Sequence, residues 1–433
     1  MKKPKHAEKS LILFLFLVLT TGHVIPCSMF KITLYGKTMV GNNEDSWRLT
    51  SRIWFEKGRD GKYGGVYVGY SDLFPQGGMN EAGLAFDGFA VYPKRHKDFS
   101  AGRKIDNPTN FIKEIMQNCK SVDEVRDVAN KYDRRIFNSA MFLFVEKSGK
   151  YLVVESDTLI FGNDEKYVLS NFCPSITNDL TKVKIDRYQR GRTFLENKED
   201  TSLNFCKSVM DTMHECRARL GDGTLYTSIY DLKEGLVYLY FYHDYENVVK
   251  FNLQQELKKG DHIYTMPNLF PKNKEYAALY EYETPITSKI ILLSLFAFGF
   301  LFSFTILFFL SGSFIKLFKN KNALFNKTDL ITRLILLTAN IFLTAYIFVL
   351  VRNPNIVYGE APFRMTQEMS FLNFAAYIPI IVLILFIPLA LCNVLIFKDH
   401  LFSKFSRWIY TLNTIGYLAI LLLFGYWHLY SVF

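Results

Sequence analysis

Cysteine and histidine are both scarce in this sequence, with six cysteines and eight histidines among 433 residues. Small secreted domains held by disulfides are much richer in cysteine, so we expect no disulfide framework. No cysteine or histidine pair has the spacing of zinc ligands, so the sequence predicts neither a structural nor a catalytic metal, and no other cofactor. The chain also contains no internal repeat and no low-complexity tract.

One disulfide stays open as an alternative, between Cys206 and Cys216. Both residues fall in a stretch with helical character, about Leu203–Arg219. Ten helical positions span about 15 Å, which is far beyond the reach of a disulfide. We therefore expect free, buried thiols.

A local excess of positive charge is missing from most of the chain. The net charge is +10, yet Cys27–Ser288 contains 36 Lys and Arg residues against 36 Asp and Glu residues. The excess therefore lies in the first residues and around the apolar segments near the other end. A basic surface for nucleic acid or for an acidic substrate is not indicated.

Long apolar runs are absent from the middle of the chain and frequent after it. Four such segments are found at about 290–312, 330–351, 371–397 and 408–429. Each is long enough to cross a bilayer as a helix. The loops 313–329 and 398–407 are basic, so the positive-inside rule places them in the cytoplasm and Cys27–Ser288 outside, in the periplasm or the extracellular space. We interpret the four spans as an anchor, with transport or sensing as the alternative.

The first 26 residues have the pattern of a secretory leader. Residues 2–9 are basic and residues 10–20 are apolar but short for a membrane span, which is typical of a signal peptide. An uncleaved anchor is the alternative. If the leader is removed up to Pro26, Cys27 becomes the first residue.

A cysteine at a processed N-terminus carries a complete catalytic pair. Its thiolate is a nucleophile, and its own α-amino group, with a pKa near 8, accepts the thiol proton without a histidine. Two plainer interpretations of Cys27 are a lipid-anchored cysteine and a buried cysteine in an uncleaved chain. Pro26 counts against lipidation, which requires a small residue at that place.

The order of predicted elements indicates an α+β fold. Strands, two helices, strands, two helices and strands follow one another from Cys27 to Asn252, and such grouping favours packed layers over alternating βαβ units. We therefore divide the chain into a leader (1–26), a catalytic domain (27–252), a connector (253–288) and a membrane region with four helices (289–433).

Several short runs resemble one family in the same order along the chain. They are Cys27 with Gly41-Asn42-Asn43-Glu44-Asp45, then Gly78-Met79-Asn80-Glu81-Ala82-Gly83-Leu84 with Gly88-Phe89-Ala90, Val168-Leu169-Ser170-Asn171, Arg187-Tyr188-Gln189-Arg190 and Thr224–Leu232. These runs resemble motifs of the choloylglycine hydrolase and penicillin V acylase group, whose members are N-terminal-nucleophile amide hydrolases. The resemblance covers nearly all of Cys27–Tyr242.

The resemblance implies an αββα sandwich and a role for each matching residue. Cys27 would attack an amide carbonyl to form a thioester, with Asn171 and the backbone N–H of Ala90 donating to the oxyanion. Asp45 would hold the α-amino group, and the positive charge of Arg187 would favour the thiolate. The plainer interpretations are a turn asparagine for Asn171, an Asx-turn residue for Asp45 and a surface ion pair for Arg187.

The sequence departs from the family pattern at four points. Asn42 stands where arginine is usual, and Ala90 stands where asparagine or tyrosine is frequent. Pro26 is unusual before a cleavage site, which suggests cleavage after Gly22 and later removal of His23–Pro26. The membrane region has no counterpart in typical members.

The resemblance implies hydrolysis of a linear, non-peptide C–N bond in a small N-acyl amide. The sequence does not choose among such substrates, and it leaves the oligomeric state open. Aromatic residues near the nucleophile suggest an apolar acyl pocket: Trp47, Trp54, Phe55, Tyr63, Phe74 and Phe89. Two alternatives remain, an acyltransferase on the same scaffold and a membrane sensor or transporter that binds an acylated ligand without turnover.

Overall fold

The computed structural model describes residues 27–46, 49–91, 102–197, 199–217, 222–319, 327–358 and 375–430. The chain forms two compact units that part between Tyr280 and Glu281. The predicted leader lies outside the described residues, as do Trp47 and the start of the third apolar segment.

The first unit contains two large antiparallel sheets. The strands are β1 (Cys27–Leu34), β2 (Lys37–Asp45), β3 (Arg52–Glu56), β4 (Gly65–Gly69), β5 (Pro75–Asn80), β6 (Ala85–Ala90), β7 (Arg103–Lys104), β8 (Tyr132–Asp133), β9 (Ala140–Val145), β10 (Tyr151–Val154), β11 (Leu159–Gly162), β12 (Lys166–Ser170), β13 (Cys216–Arg217), β14 (Asp222–Asp231), β15 (Leu236–Phe241), β16 (Asp244–Asn252) and β17 (His262–Thr265). Sheet 1 has the order β12-β1-β2-β14-β15-β16, with β13 on β14, and sheet 2 has the order β11-β10-β9-β6-β5-β4-β3-β17.

Six helices belong to the same part of the chain. They are α1 (Pro108–Asn118), α2 (Val122–Ala129), α3 (Asp186–Asn197), α4 (Leu203–Met213), α5 (Leu253–Lys258) and α6 (Lys274–Glu281). Helix α2 begins with an N-cap, because the Ser121 hydroxyl accepts from the Glu124 N–H. Glu124 reaches back to the N–H of Lys120, one residue earlier than a standard capping box.

Two separate hydrophobic cores define the layers. On sheet 1, Phe30 and Ile229 pack with Leu195 of α3 and Met210 of α4. On sheet 2, Phe86, Phe144 and Leu152 pack with Ile112 of α1 and Val125 of α2. Because residues alternate between the faces of a strand, the opposite faces of the two sheets pack on each other. The predicted αββα sandwich is confirmed.

The β1–β2 hairpin sets the position of the chain's first described residue. Tyr35 and Gly36 both have positive φ, at 51° and 72°, as the two-residue turns that match the twist of paired strands require. The turn fixes a register in which Leu34 lies opposite Lys37 and Cys27 lies opposite Glu44. On its other side β1 pairs with β12, where Ser28 lies opposite Ser170.

Two stretches differ from the sequence prediction. Helix α4 ends at Met213 instead of about Arg219, because His214 is extended (φ −67°, ψ 152°) and the chain then forms β13 beside β14. The stretch 253–288, which we predicted as a connector, contributes α5, α6 and β17, and β17 extends sheet 2 by pairing with β3.

The second unit contains four helices that are long and apolar enough to cross a membrane. They are α7 (Lys289–Lys319), α8 (Lys327–Arg352), α9 (Ile378–Lys398) and α10 (Lys404–Tyr426). Few ionisable groups lie in these helices. A partly buried ion pair is present in the first turns of α8, between Asp329 Oδ1 and Arg333 Nε at 2.7 Å.

Candidate active site

Cys27 is buried at the start of a central strand, with only 2% of its surface exposed. Its backbone nitrogen donates to Asn171 Oδ1 at 2.8 Å. The nitrogen is a peptide N–H while Pro26 precedes it, and it would be an α-amine if the chain began at Cys27. The contact follows from the sheet, because Asn171 comes one residue after Ser170, which lies opposite Ser28.

Asn171 is held on both sides of its amide. Its Oδ1 accepts from Cys27 N and from an Arg187 guanidinium N–H, and its Nδ2 donates to the carbonyl oxygen of Ala90 at 2.8 Å. Two donors on one end and an acceptor on the other fix which end is oxygen. In this state Nδ2, which the resemblance assigns to the oxyanion, is bonded to Ala90.

Ala90 lies at the end of β6, opposite Ala140 of β9. The next residue, Val91, donates its N–H to the Ser139 carbonyl at 3.0 Å. In an antiparallel pair these bonded positions alternate with positions whose N–H and C=O point away from the partner strand. The N–H of Ala90 therefore points to the same side as its carbonyl, toward Asn171.

Arg187 joins Asn171 to two carboxylates. It lies in the first turn of α3, with Nε 3.7 Å from Asp45 Oδ2 and Nη1 3.6 Å from Glu215 Oε1. Its guanidinium is largely buried, with 11% of the side chain exposed. The structure thus brings Arg187 into the site, in a place where it orients the Asn171 amide.

Asp45 contacts Arg187 and Thr224 instead of the Cys27 nitrogen. Its Oδ1 accepts from the Thr224 hydroxyl at 2.5 Å. Burial raises the pKa of Asp45 to about 8, although Arg187 and the Thr224 hydroxyl act in the opposite direction. The expected contact with the α-amino group is replaced by an indirect one, from Asp45 through Arg187 and Asn171.

Glu44 is the site residue that sequence reasoning missed. It lies directly opposite Cys27, and its Oε2 accepts from the Cys27 thiol at an Sγ–Oε2 distance of 3.4 Å. Its other oxygen, Oε1, accepts from the Tyr70 hydroxyl at 2.6 Å. A signal was available, because counting outward from the Tyr35-Gly36 turn pairs position 27 with position 44.

The surroundings of Cys27 keep its thiol protonated. Burial raises the pKa of the Cys27 thiol well above its ordinary value, and the negative charges of Glu44, Asp87 and Asp45 raise it further. The expected effect of Arg187, a lowered thiol pKa, is not among these causes. The thiol therefore needs a nearby group that accepts its proton as it reacts.

Asn42, at the position where the family has arginine, is buried and 1% exposed. It lies opposite Met29, two residues before Glu44 and so on the same face of β2. Neither atom of its side-chain amide has a hydrogen-bond partner in the described structure. The position is therefore polar and uncharged, and it adds no cation to the site.

The aromatic residues expected around an acyl pocket are divided between several surroundings. Trp54 belongs to the core between sheet 2 and its helices, on the face away from sheet 1. Phe55 packs against Phe251 and His262, with ring centroids 5.3 Å and 4.9 Å away. Phe89 is buried on β6 two residues after Asp87, and so on the same face of the strand.

The described side chains include no group of three or more His, Cys, Asp or Glu residues arranged to hold a metal ion. The cysteines at 27, 119, 173, 206 and 392 are free thiols. Because Cys206 is a free thiol, it forms no disulfide with Cys216 in this structure. The side chain of Cys216 itself lies outside the described part.

No protein-family model and no curated protein matches this chain. Among solved structures, the chain is similar to penicillin V acylase from Agrobacterium tumefaciens, with 17% identity and a TM-score of 0.42 over 55% of this chain and 90% of that one. It is also similar to a mutant of conjugated bile acid hydrolase from Clostridium perfringens, with 18% identity and a TM-score of 0.44 over 58% of this chain and 98% of that one. These names are those of the group that the motifs resemble.

Proposed function

We propose that this protein is an amide hydrolase in which Cys27, as the first residue of the processed chain, is the nucleophile. The observation that carries the proposal is the bridge formed by Asn171, whose amide contacts the Cys27 nitrogen and the Ala90 carbonyl together. Through this bridge Cys27, which would carry both the thiol and the α-amine, lies beside the two proposed oxyanion donors, Asn171 Nδ2 and the Ala90 N–H. The substrate class, a linear N-acyl amide, follows from the motif resemblance.

The first half of the reaction forms a thioester. Cys27 Sγ attacks the amide carbonyl carbon as its proton passes to an acceptor, and the carbonyl oxygen becomes an oxyanion. The N–H of Ala90 and Nδ2 of Asn171 stabilise that oxyanion once Nδ2 exchanges the Ala90 carbonyl for the substrate oxygen. The C–N bond then breaks, and the leaving nitrogen takes up the proton and departs as an amine.

The second half restores the enzyme. A water molecule attacks the thioester carbonyl, gives up a proton to the same acceptor and releases the acyl group as a carboxylic acid. The proton returns to Cys27 Sγ. Two acceptors lie beside the thiol in this scheme, the α-amine of Cys27 and the carboxylate of Glu44, and we assign the first transfer to Glu44 because it already accepts a hydrogen bond from the thiol.

Two measurements on the full-length protein in detergent test this function. Intact mass should give a chain that begins at Cys27, and rapid quenching with an N-acyl aminocoumarin should give an acyl adduct on that residue. Cys27→Ala should release no coumarin. Cys206→Ala is the matched control, because Cys206 is an equally buried thiol in the helical layer, and it should retain activity.

Two outcomes would overturn the proposal. One is an active protein whose chain still begins before Cys27, since Cys27 would then not be the first residue of the active chain. The other is a Cys27→Ala variant with undiminished activity. An added primary amine that is converted into a new amide in place of free acid would indicate an acyltransferase.

We further propose that the first unit lies on the extracytoplasmic side of a membrane crossed by α7–α10. The basic loops 313–329 and 398–407 support this orientation. In intact cells, a membrane-impermeant amine reagent should label exposed lysines such as Lys182 (82% exposed side chain) and spare the lysines of the two basic loops. The reverse labelling pattern would contradict this orientation.

A further inference from the structure

A layer of polar side chains lies between the two sheets, beside the Cys27 thiol. Glu44 and Asn42 share one face of β2, and Tyr226 of β14 lies opposite Glu44. From sheet 2, Tyr70 reaches Glu44 with its hydroxyl. Asp87 of β6 adjoins Phe86, which faces the helices, so Asp87 points to sheet 1. A sandwich interior is ordinarily apolar, which makes this layer unusual.

Several of these buried groups have no hydrogen-bond partner among the described residues. They are both amide atoms of Asn42, the hydroxyl of Tyr226 and, apart from the neighbouring Gly88 N–H, the carboxyl oxygens of Asp87. Each residue is no more than 1% exposed. Burying such groups without partners is costly, and folded proteins ordinarily satisfy them. Their number, at one place beside the thiol, points to a bound polar group that completes them.

The strand beside Asp87 leaves room for its carboxyl group. Gly77 of β5 lies opposite Asp87, and a Cβ added at Gly77 would lie 2.6 Å from Asp87 Oδ1. Any other residue at this position would push the carboxyl group away. Gly77 therefore leaves the space that the buried carboxyl group of Asp87 occupies.

The electrostatics of the layer are one-sided. Glu44 is the charged side chain that acts on Asp87, and burial together with that charge raises the pKa of Asp87 well above its ordinary range, against a smaller effect of the Gly88 N–H. Arg187 lies with Asp45 on the helix side of sheet 1, so it does not neutralise this pair. A cation bound between Asp87 and Glu44 would offset their repulsion and favour the ionised form of Asp87.

The acyl part of the substrate enters this layer. Cys27 Sγ points to Glu44, so an acyl group attached to Sγ as a thioester begins between the sheets, while the leaving amine departs. Asp87 faces sheet 1 from β6 and acts electrostatically on Cys27, Tyr226 and Tyr230.

We infer that the acyl group of the substrate carries an ammonium group, which Asp87, Asn42 Oδ1 and the Tyr226 hydroxyl bind between the sheets. An ammonium group has three N–H donors, and these three residues offer acceptors for them. The inference rests on the proposed function, and it replaces the apolar acyl pocket that the aromatic residues suggested.

The test compares matched pairs of substrates. Aminocoumarin amides of ω-amino acids with two to six carbons are set against amides of the same length that end in a methyl group. The wild-type protein should favour the best amino substrate in kcat/KM by about 10- to 100-fold, the range of a charge-assisted hydrogen bond. In Asp87→Asn this ratio should fall to near one. Asp231→Asn, at an equally buried carboxylate of β14, should keep the wild-type ratio.

A binding measurement separates this inference from the proposed function. With Cys27→Ala protein, pentylamine should raise the melting temperature and pentanol should not, and the effect should disappear in the double variant with Asp87→Asn. If the melting temperature shifts as expected while the wild-type protein shows no turnover, the ammonium site is supported and the proposed hydrolase activity is contradicted.

The inference is overturned if the wild-type protein favours the methyl substrates, if Asp87→Asn keeps the amino preference, or if pentylamine and pentanol act alike. Should Asp87→Asn fold poorly, Tyr226→Phe removes one acceptor with little change in shape. Its amino-to-methyl ratio should fall several-fold, and an unchanged ratio in that variant would count against the site.

Discussion

Replacing Glu44 with glutamine should lower the pKa of the Cys27 thiol and yet slow the enzyme. Glutamine keeps the shape of the side chain and removes the negative charge closest to Sγ. The thiol should therefore ionise more readily. The same change removes the group that we assign as its proton acceptor, so hydrolysis should become slower while simple thiol chemistry becomes faster.

The size of the effect follows from the geometry. Two unit charges about 4 Å apart interact by about 4 kcal/mol at an effective dielectric constant of about 20, and about 1.4 kcal/mol corresponds to one pKa unit. With Sγ and Oε2 at 3.4 Å, the loss of Glu44 should lower the pKa of the Cys27 thiol and raise its thiolate fraction by about 100-fold or more. Burial, the largest cause of the raised pKa, is unchanged in the variant.

Methylthiolation of Cys27 by a small thiosulfonate measures this shift. The rate is followed by peptide mass between pH 7 and pH 9, where a lower thiol pKa gives a larger fraction of the reactive thiolate. We expect Glu44→Gln to react about 100-fold faster or more. Cys206 in the same protein, whose pKa burial raises to about 12, is the internal control. Glu155→Gln, at another buried glutamate, is the matched variant.

Equal rates in the wild type and Glu44→Gln would refute the electrostatic reasoning. A variant whose thiol reacts faster and whose kcat/KM for an N-acyl aminocoumarin is undiminished would leave the pKa effect intact. It would then assign the proton transfer to the α-amine alone.

Three further predictions concern the residues around this pair. Between about pH 4 and pH 8 native Asp45 holds a proton that the unfolded chain has released, so the free energy of unfolding falls as the pH rises through this range. Urea unfolding at pH 5, 6 and 7 should show that Asp45→Asn lessens the fall by up to about 1.4 kcal/mol per pH unit, and an unchanged slope would contradict the raised pKa. Asn171→Ala should lower kcat by about 10²- to 10³-fold, as the loss of one oxyanion donor does, with a smaller change in KM. A loss confined to KM would argue against that role. Gly77→Ala should lower the free energy of unfolding by about 1 to 3 kcal/mol, because its Cβ would meet Asp87 and the Phe86 carbonyl at 2.6 and 3.2 Å. Gly88→Ala, with its nearest contact at 3.3 Å, should cost less, and the reverse order would contradict the packing.

The motif order, the β1–β2 turn and the layered fold could be predicted from the sequence. The motif order brought Cys27, Asn171, Arg187 and Ala90 to one place, and the hairpin turn at Tyr35-Gly36 was readable from local chemistry. The layered fold followed from the grouping of strands and helices. These features depend on short-range patterns; the four residues lie next to one another, and their roles stay predictions.

Asp87 could not be assigned in the same way. Its place beside Cys27 depends on which face of β6 points to the other sheet, and alternation within a strand does not supply that information. For Glu44, the register of the β1–β2 turn was a usable signal. Asp45 shows a related limit, since its motif position lies in the site while its carboxylate binds Arg187 and Thr224. The pairing of β17 with β3 joins residues about 200 positions apart, which local patterns do not reveal.

The position of Cys27 in β1 also bears on how the protein matures. In the described structure the β1 ladder begins at Cys27 itself, with Glu44 on one side and the Ser28–Ser170 pair next to it on the other. A cut on the N-terminal side of Cys27 therefore disrupts none of these residue pairs between strands. If the chain is processed before Cys27, as we propose, the sheet that holds the proposed nucleophile is the same before and after the cut.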